Sequence, residues 1–302
     1  MEPAIEVRDL RKSYGTVEAV RGVSLSVAEG EVFAFLGPNG AGKTTTVEIL
    51  EGYRDRTGGD VRVLGVDPGR PTREWRARIG IVLQTSKTQR ELTVRETVAL
   101  YAGYFPHPRP IDETVELVGL AEQRDTRMRR LSGGQQRRLD VALALIGDPD
   151  LLFLDEPTTG FDPTARRTAW TLIGDLRGLG KTVFLTTHYM DEAQALADRI
   201  AIISAGQIIA EGTPADIGGR ATAATAIRFR LPDGAKPTGL TTAVGATESL
   251  PDGRLGVATD DPVRALHALT GWALDRGIEL HDLTVERPSL EDIYLAVIEE
   301  KT

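Results

Sequence analysis

Residues 37–46 read GPNGAGKTTT, set between the apolar run VFAFL and the run VEIL. The pattern G-x-x-x-x-G-K-T from Gly37 to Thr44, framed by a strand and a helix, is the context that separates a phosphate-binding loop from a chance cluster of glycines. Glycines let backbone N–H groups turn toward phosphate oxygens, and the helix N-terminus behind the loop adds the positive end of its dipole. In that setting Lys43 reaches the outer phosphates of a nucleotide and the Thr44 hydroxyl ligates Mg²⁺.

The rest of the chain reads as a frame for such a loop. Short apolar strands, EVFAFLG, IGIVLQ, DLLFLDEP and KTVFLTTH, alternate with helical periods, which predicts an α/β core with a mainly parallel sheet. Ahead of them Ile5 and Val7, then Val23, Leu25 and Val27, alternate with polar residues around turn signals at Gly15 and Gly30, and predict an antiparallel β layer. Strand signals vanish between Gln84 and Ser132, where Thr93 and Glu96 form a capping box, so a helical insertion is expected over about residues 85–135. Composition turns to Gly, Ala, Thr and Pro near 218–235. The expected division is therefore a nucleotide-binding domain over 1–220 and a small α+β domain over 221–302, the latter closing in a helix with Ser289 as N-cap and Asp292 in its first turn.

Chemistry gathers at the strand ends. In DLLFLDEP the apolar run leads into Asp155 and Glu156, which puts two carboxylates at the C-terminal edge of the sheet, where open α/β sheets bind ligands. Asp155 suits Mg²⁺ through water, and Glu156 suits polarising an attacking water as general base. Gln84 ends IGIVLQ and His188 ends TVFLTTH; at the same edge they can sense a γ-phosphate or position the water.

A second glycine-rich helix start occurs at LSGGQ, residues 131–135. Ser132 and Gln135 fit a capping box, and Gly133 and Gly134 then either ease a tight turn or leave bare N–H groups as an anion site. One loop already wraps one nucleotide's phosphates, so the second site serves a nucleotide held by another copy, which predicts a homodimer.

Bulk properties narrow the partners. The formal net charge of −8 offers no basic field for a polyanion, so nucleic acid is not expected. The absence of cysteine excludes disulfides and thiolate metal sites. Apolar runs such as VALALIG and IAIIS are core-sized rather than membrane-spanning, and the start MEPAIEVRDL carries no secretion signal. Work at a membrane would then require a separate anchor. His107, His267 and His281 lack ligand spacing.

The order and spacing of these motifs resemble the ATP-binding subunit of ABC transporters over about residues 4–220. GPNGAGKTT resembles the Walker A loop, which implies that Gly37, Pro38, Asn39, Gly40, Ala41, Gly42, Lys43, Thr44 and Thr45 hold ATP. Gln84 resembles the Q-loop glutamine, with Thr44 and Asp155 a contributor to the Mg²⁺ site; LLFLDEP resembles Walker B with Glu156 as catalytic glutamate, and His188 the switch histidine. LSGGQ resembles the signature, which implies that Ser132, Gly133, Gly134 and Gln135 face the other subunit's γ-phosphate. TGFD resembles the D-loop, with Asp162 linking the two sites and Phe161 replacing the commoner Leu; Tyr14 sits where the family stacks a ring on adenine. The implied fold is a P-loop NTPase cassette with an antiparallel β layer, a RecA-like parallel core and a helical subdomain. The tail, RPSLEDIYLAVIEE, is similar to the C-terminal extension of the daunorubicin/doxorubicin exporter branch. The resemblance implies export of a hydrophobic drug, lipid or metabolite, membrane-spanning permease subunits on separate chains, and a peripheral position on the cytoplasmic face of the membrane. A soluble ABC-type ATPase acting on the ribosome or DNA is the alternative; one cassette without a coiled-coil insertion weighs against it.

Overall fold

The computed structural model describes residues 2–82, 91–217, 224–232, 234–235, 237–250, 252–286 and 291–292. The chain divides into two compact units, Met1–Pro214 and Ala215–Thr302. Gln84 and Ser289 lie outside the described residues.

The first unit runs β1 (Ile5–Tyr14), β2 (Val17–Val27), β3 (Val32–Leu36), α1 (Lys43–Leu50), β4 (Gly58–Val63), α2 (Arg73–Ala77), β5 (Ile79–Val82), α3 (Val94–Ala102), α4 (Ile111–Leu117), α5 (Gly133–Leu145), β6 (Leu151–Asp155), α6 (Pro163–Gly178), β7 (Thr182–Thr187), α7 (Met190–Leu196), β8 (Arg199–Ser204) and β9 (Gln207–Gly212). Two sheets result. The three-stranded sheet β2-β1-β4 is antiparallel throughout, and the six-stranded sheet β5-β6-β7-β3-β8-β9 is parallel except for its edge strand β9.

Residue alternation explains how the sheets meet. Ile5, Val7, Val23, Leu25, Val61 and Val63 from the antiparallel layer share one core with Phe33, Phe35, Phe153 and Phe184 from the parallel sheet. Phe184 joins three rings there, with centroids 5.5 Å from Phe33 and 5.7 Å from both Phe35 and Phe153. Each buried Phe contributes about 2–3 kcal/mol of transfer free energy, so this aromatic knot holds strands β3, β6 and β7 in fixed register. Alternate residues on the other face, Ala34, Leu36, Leu152, Leu154, Val183 and Leu185, are buried too. A sheet covered on both faces needs such continuous apolar strands.

Between β5 and β6 the described chain is helical. Thr93 accepts from the Glu96 N–H while the Glu96 side chain accepts from the Thr93 N–H, which starts α3.

The second unit contains β10 (Thr225–Arg230), α8 (Leu240–Val244), β11 (Glu248–Ser249), β12 (Leu255–Thr259), α9 (Pro262–Asp275) and β13 (His281–Glu286). Its sheet has the order β11-β12-β10-β13 with antiparallel pairing. Ile227 and Phe229 of β10 are buried with Val257, Leu269 and Trp272, so α9 covers one sheet face. The short helix α8 lies between β10 and β11 and carries no signal in the sequence. It has a single buried residue, Leu240, too little for a readable helical period.

Candidate functional site

Strand order brings the sequence motifs together. β3 ends at Leu36 and feeds the loop 37–42; its neighbour β7 ends at Thr187, opposite Leu36, and the next strand β6 ends at Asp155, opposite Thr186. The phosphate-binding loop, His188 and the Asp155–Glu156 pair thus leave three adjacent parallel strands at the same edge. That is the edge where ligands of open α/β sheets bind.

The loop is shaped by close approach. Gly42 has φ 103°, and a Cβ there would lie 2.6 Å from the Ala19 carbonyl oxygen, so neither conformation nor space admits a side chain. The Lys43 ammonium donates to the Gly37 carbonyl at 2.8 Å and to the Pro38 carbonyl at 3.1 Å. Burial pulls its pKa below the usual lysine range, against the opposing fields of Glu156 and Asp155. Asn39, Gly40 and Thr44 are exposed along the loop, and Ala41 is buried beneath it.

The Asp155–Glu156 exit is held by β7. The Thr186 hydroxyl donates to Asp155 Oδ1 at 2.5 Å, and the Glu156 N–H donates to the Thr186 carbonyl and hydroxyl at 3.2 and 3.1 Å. Glu156 has φ 44°, a left-handed conformation rare for a residue with a Cβ. Its Oε1 lies 3.4 Å from His188 Nδ1, and its Oε2 accepts from the Thr159 hydroxyl at 3.1 Å. A carboxylate beside an imidazole at a strand end can take a proton from water and hand on the resulting hydrogen bond.

The second glycine-rich helix start has the expected cap. The Ser132 hydroxyl accepts from the Gln135 N–H at 3.3 Å and Gln135 Oε1 accepts from the Ser132 N–H at 2.9 Å. Among the described residues the glycines have no explanation inside the chain. Neither Gly133 nor Gly134 has positive φ; a Cβ on Gly133 would meet nothing within 4 Å, and one on Gly134 only Ala165 at 3.8 Å. Asp162 caps α6 with its own side chain, Oδ1 accepting from Thr164 and Ala165 N–H groups at 2.9 Å. Tyr14 is 42% exposed, with the Lys12 ammonium 5.1 Å and the Arg54 guanidinium 5.4 Å from its ring centroid. This gives a ring with a polarised face beside cations suited to an anionic ligand.

Several partners of these groups carry no signal in the sequence. Arg137, in the first turns of α5, donates to the Asp155 and Pro157 carbonyls at 2.8 and 3.2 Å. The Tyr189 ring lies tilted by 40° against His188 with centroids 4.1 Å apart, and the Arg166 guanidinium lies 4.2 Å over the Tyr189 ring.

Glu51 closes α1 in a buried position. Burial, with the nearby charges of Asp155 and Glu48, pushes its carboxyl from 4.5 up to about 8. The folded chain then keeps a proton that the unfolded chain releases, so stability falls as pH rises from about 4.5 to about 8. Glu51→Gln is expected to match the parent near pH 4.5 and to exceed its stability at pH 8 by on the order of 4 kcal/mol. Thermal melts at the two pH values check this, and a gain independent of pH would contradict it.

Known proteins share this arrangement. The family described as ABC transporter matches residues 20–159, and the family described as ABC transporter domain-containing protein-like, C-terminal domain, matches residues 225–289. Nod factor export ATP-binding protein I of Paraburkholderia xenovorans is 44% identical over 218 residues, 70% of this chain and 72% of that protein. Daunorubicin resistance ATP-binding protein DrrA3 of Streptomyces coeruleorubidus is 37% identical over 303 residues, 97% of this chain and 95% of that protein. Among solved structures, the dimeric post-hydrolysis state of the ATP-binding cassette MJ0796 bound to ADP and Pi superposes with a TM-score of 0.62 at 26% identity, covering 69% of this chain and 98% of that one. This chain belongs to the ABC transporter family, as one of its ATP-binding, ATP-hydrolysing subunits.

Proposed function

We propose that this subunit drives export of a hydrophobic drug, lipid or metabolite by binding and hydrolysing ATP as a homodimer at the cytoplasmic face of a membrane, docked on separate membrane-spanning permease chains. The observation that carries the hydrolytic part is the shared edge: Lys43 lies in the fields of Glu156 and Asp155, and Glu156 lies 3.4 Å from His188. Export as the direction draws on the two relatives, whose names state Nod factor export and daunorubicin resistance.

In this reading Gly37, Pro38, Asn39, Gly40, Ala41, Gly42, Lys43, Thr44 and Thr45 wrap the phosphates and Tyr14 meets the adenine. Glu156 takes the proton of the attacking water, with His188 and Gln84 beside the γ-phosphate. The donors present suit Mg²⁺: a hydroxyl, Thr44, and one carboxylate, Asp155, stand near the loop, and no cluster of three acidic or imidazole ligands exists among the described residues. Mg²⁺ is commonly held by one or two side chains together with substrate phosphates. When bound it would neutralise charge on the β- and γ-phosphates.

The homodimer rests on Ser132, Gly133, Gly134 and Gln135. Glycine inside a helix costs up to about 1 kcal/mol against alanine, and nothing among the described residues of their own chain needs Gly133 or Gly134. A phosphate brought by a second copy, approaching bare N–H groups, supplies the missing reason. Asp162, at the head of α6, borders the same surface.

The helical stretch within 85–131 supplies the permease-docking surface. Beside that stretch a groove of about 500 Å³ runs between α2 and the chain after α3, lined by Ala77, Tyr104, Phe105 and Pro106 with Arg73, Glu74 and Arg76. No helix among the described residues is long and apolar enough to cross a membrane.

Purified chain is expected to hydrolyse ATP with a Hill coefficient above 1, and Lys43→Ala to weaken ATP binding by about tenfold or more, the worth of charge-assisted hydrogen bonds to phosphate. Equilibrium ATP binding and steady-state turnover measure both. Unchanged affinity in Lys43→Ala would refute the loop's assignment.

A further inference from the structure

We propose that Glu192 is a positioning residue for hydrolysis: through the Thr158 hydroxyl it fixes the loop that carries Glu156 against the segment that carries His188. The proposal rests on Glu156 being the carboxylate that activates water.

Glu192 belongs to α7, four residues after His188, and is fully buried. Its Oε1 accepts from the Thr158 hydroxyl at 2.7 Å and from Trp170 Nε1 at 3.1 Å; the Thr187 hydroxyl also faces the carboxyl, and Oε2 is buried with no hydrogen bond of good geometry among the described residues. Burial pushes this carboxyl above the usual glutamate range. A buried carboxyl with one oxygen unmatched is a poor way to stabilise a fold; an apolar side chain of similar volume serves better. What the carboxyl does offer, beyond its bond to Trp170, is a directional tie from α7 to the Thr158 hydroxyl.

That hydroxyl sits where a tie matters. Thr158, also fully buried, follows Glu156 by two residues, and the next residue, Thr159, bonds Glu156 Oε2. From the opposite side Arg137 holds the carbonyls of Asp155 and Pro157. Glu156 itself is kept at φ 44°. A residue held in that region is strained and persists only where its surroundings over-determine it. Arg137 and Thr186 grip the strand exit; the Glu192–Thr158 bond closes the far end of the loop onto α7. Without it the loop can relax Glu156 away from its position 3.4 Å from His188.

The test is steady-state ATP turnover with separate measurement of ATP affinity in four variants of the whole chain. Glu192→Leu is expected to lower kcat at least tenfold while ATP affinity stays within threefold. Glu192→Gln keeps the accepting oxygen and is expected to retain kcat within threefold. Thr158→Val removes only the donor, guards against misfolding of the Glu192 variants, and is expected to lower kcat at least fivefold. Combined with Glu192→Leu it should add no further loss, because both remove the same bond. Parent-like kcat in Glu192→Leu and Thr158→Val, or parallel losses of kcat and ATP affinity, overturn the positioning role. Glu156→Gln run beside them separates the two ideas. If it is inactive while Glu192→Leu and Thr158→Val are active, only the positioning role falls; if it is active, the reading of Glu156 falls and takes this proposal with it.

Discussion

Glu156→Gln is expected to bind ATP as the parent does and to turn it over at least about 100-fold more slowly, the usual worth of a positioned general base. The substitution preserves length and shape, so the backbone at φ 44° and the N–H bonds to Thr186 remain. What disappears is the negative charge and the basic oxygen. The amide can still accept from the Thr159 hydroxyl, so the side chain has no reason to leave its place. In the proposed reading phosphate binding depends on the loop 37–45, which the substitution does not touch. Phosphate release at saturating ATP, with equilibrium binding as a control, measures the effect; undiminished turnover would remove Glu156 from its proposed role.

Ser132→Arg is expected to leave ATP affinity at the phosphate-binding loop within about threefold and to abolish cooperative turnover, a loss we expect to be of the order of 100-fold. Ser132 is exposed and lies on a different element from Lys43, so the chain's own nucleotide contacts stay intact. Two local costs accompany the change. The cap on the Gln135 N–H is lost, worth about 1 kcal/mol, and a cation is set at the positive end of α5. Neither is large enough to unfold a domain with the core described above. The decisive effect is steric: a long side chain would fill the open space over Gly133 that a second copy's phosphate is proposed to occupy. The Hill coefficient should fall to 1. Parent-like cooperative turnover would overturn the shared site.

Comparison of these two sites shows where sequence reading succeeds. The phosphate-binding loop is recognisable because its requirements are local: glycines where the backbone must turn, then a lysine and a threonine at the start of a helix. Capping boxes at Thr93 and Ser132 are legible for the same reason, since each partner lies three residues from the other. Strands β3, β6 and β7 announce themselves as unbroken apolar runs because both sheet faces are covered. Helix α8 does not announce itself, because five residues with one buried side chain hold no period.

The partners of the strand-end residues were beyond the linear pattern. Glu156 and His188 are 32 positions apart, and their separation of 3.4 Å follows from β6 lying beside β7 in the sheet. Arg137 reaches the Asp155 carbonyl from another helix, and Glu192 reaches Thr158 across 34 positions. Nothing in the residues around Glu192 marks it as buried, since a glutamate at a helix start ordinarily faces water. Chemical identity and local backbone demand are written in neighbouring residues, so the loop, its lysine, the paired carboxylates and the capped glycine helix could be read directly. The bracing of Glu156 depends on which strands lie side by side and on which charged groups are drawn out of water, and both come from burying the aromatic faces of β3, β6 and β7 together, a long-range event that no short stretch encodes.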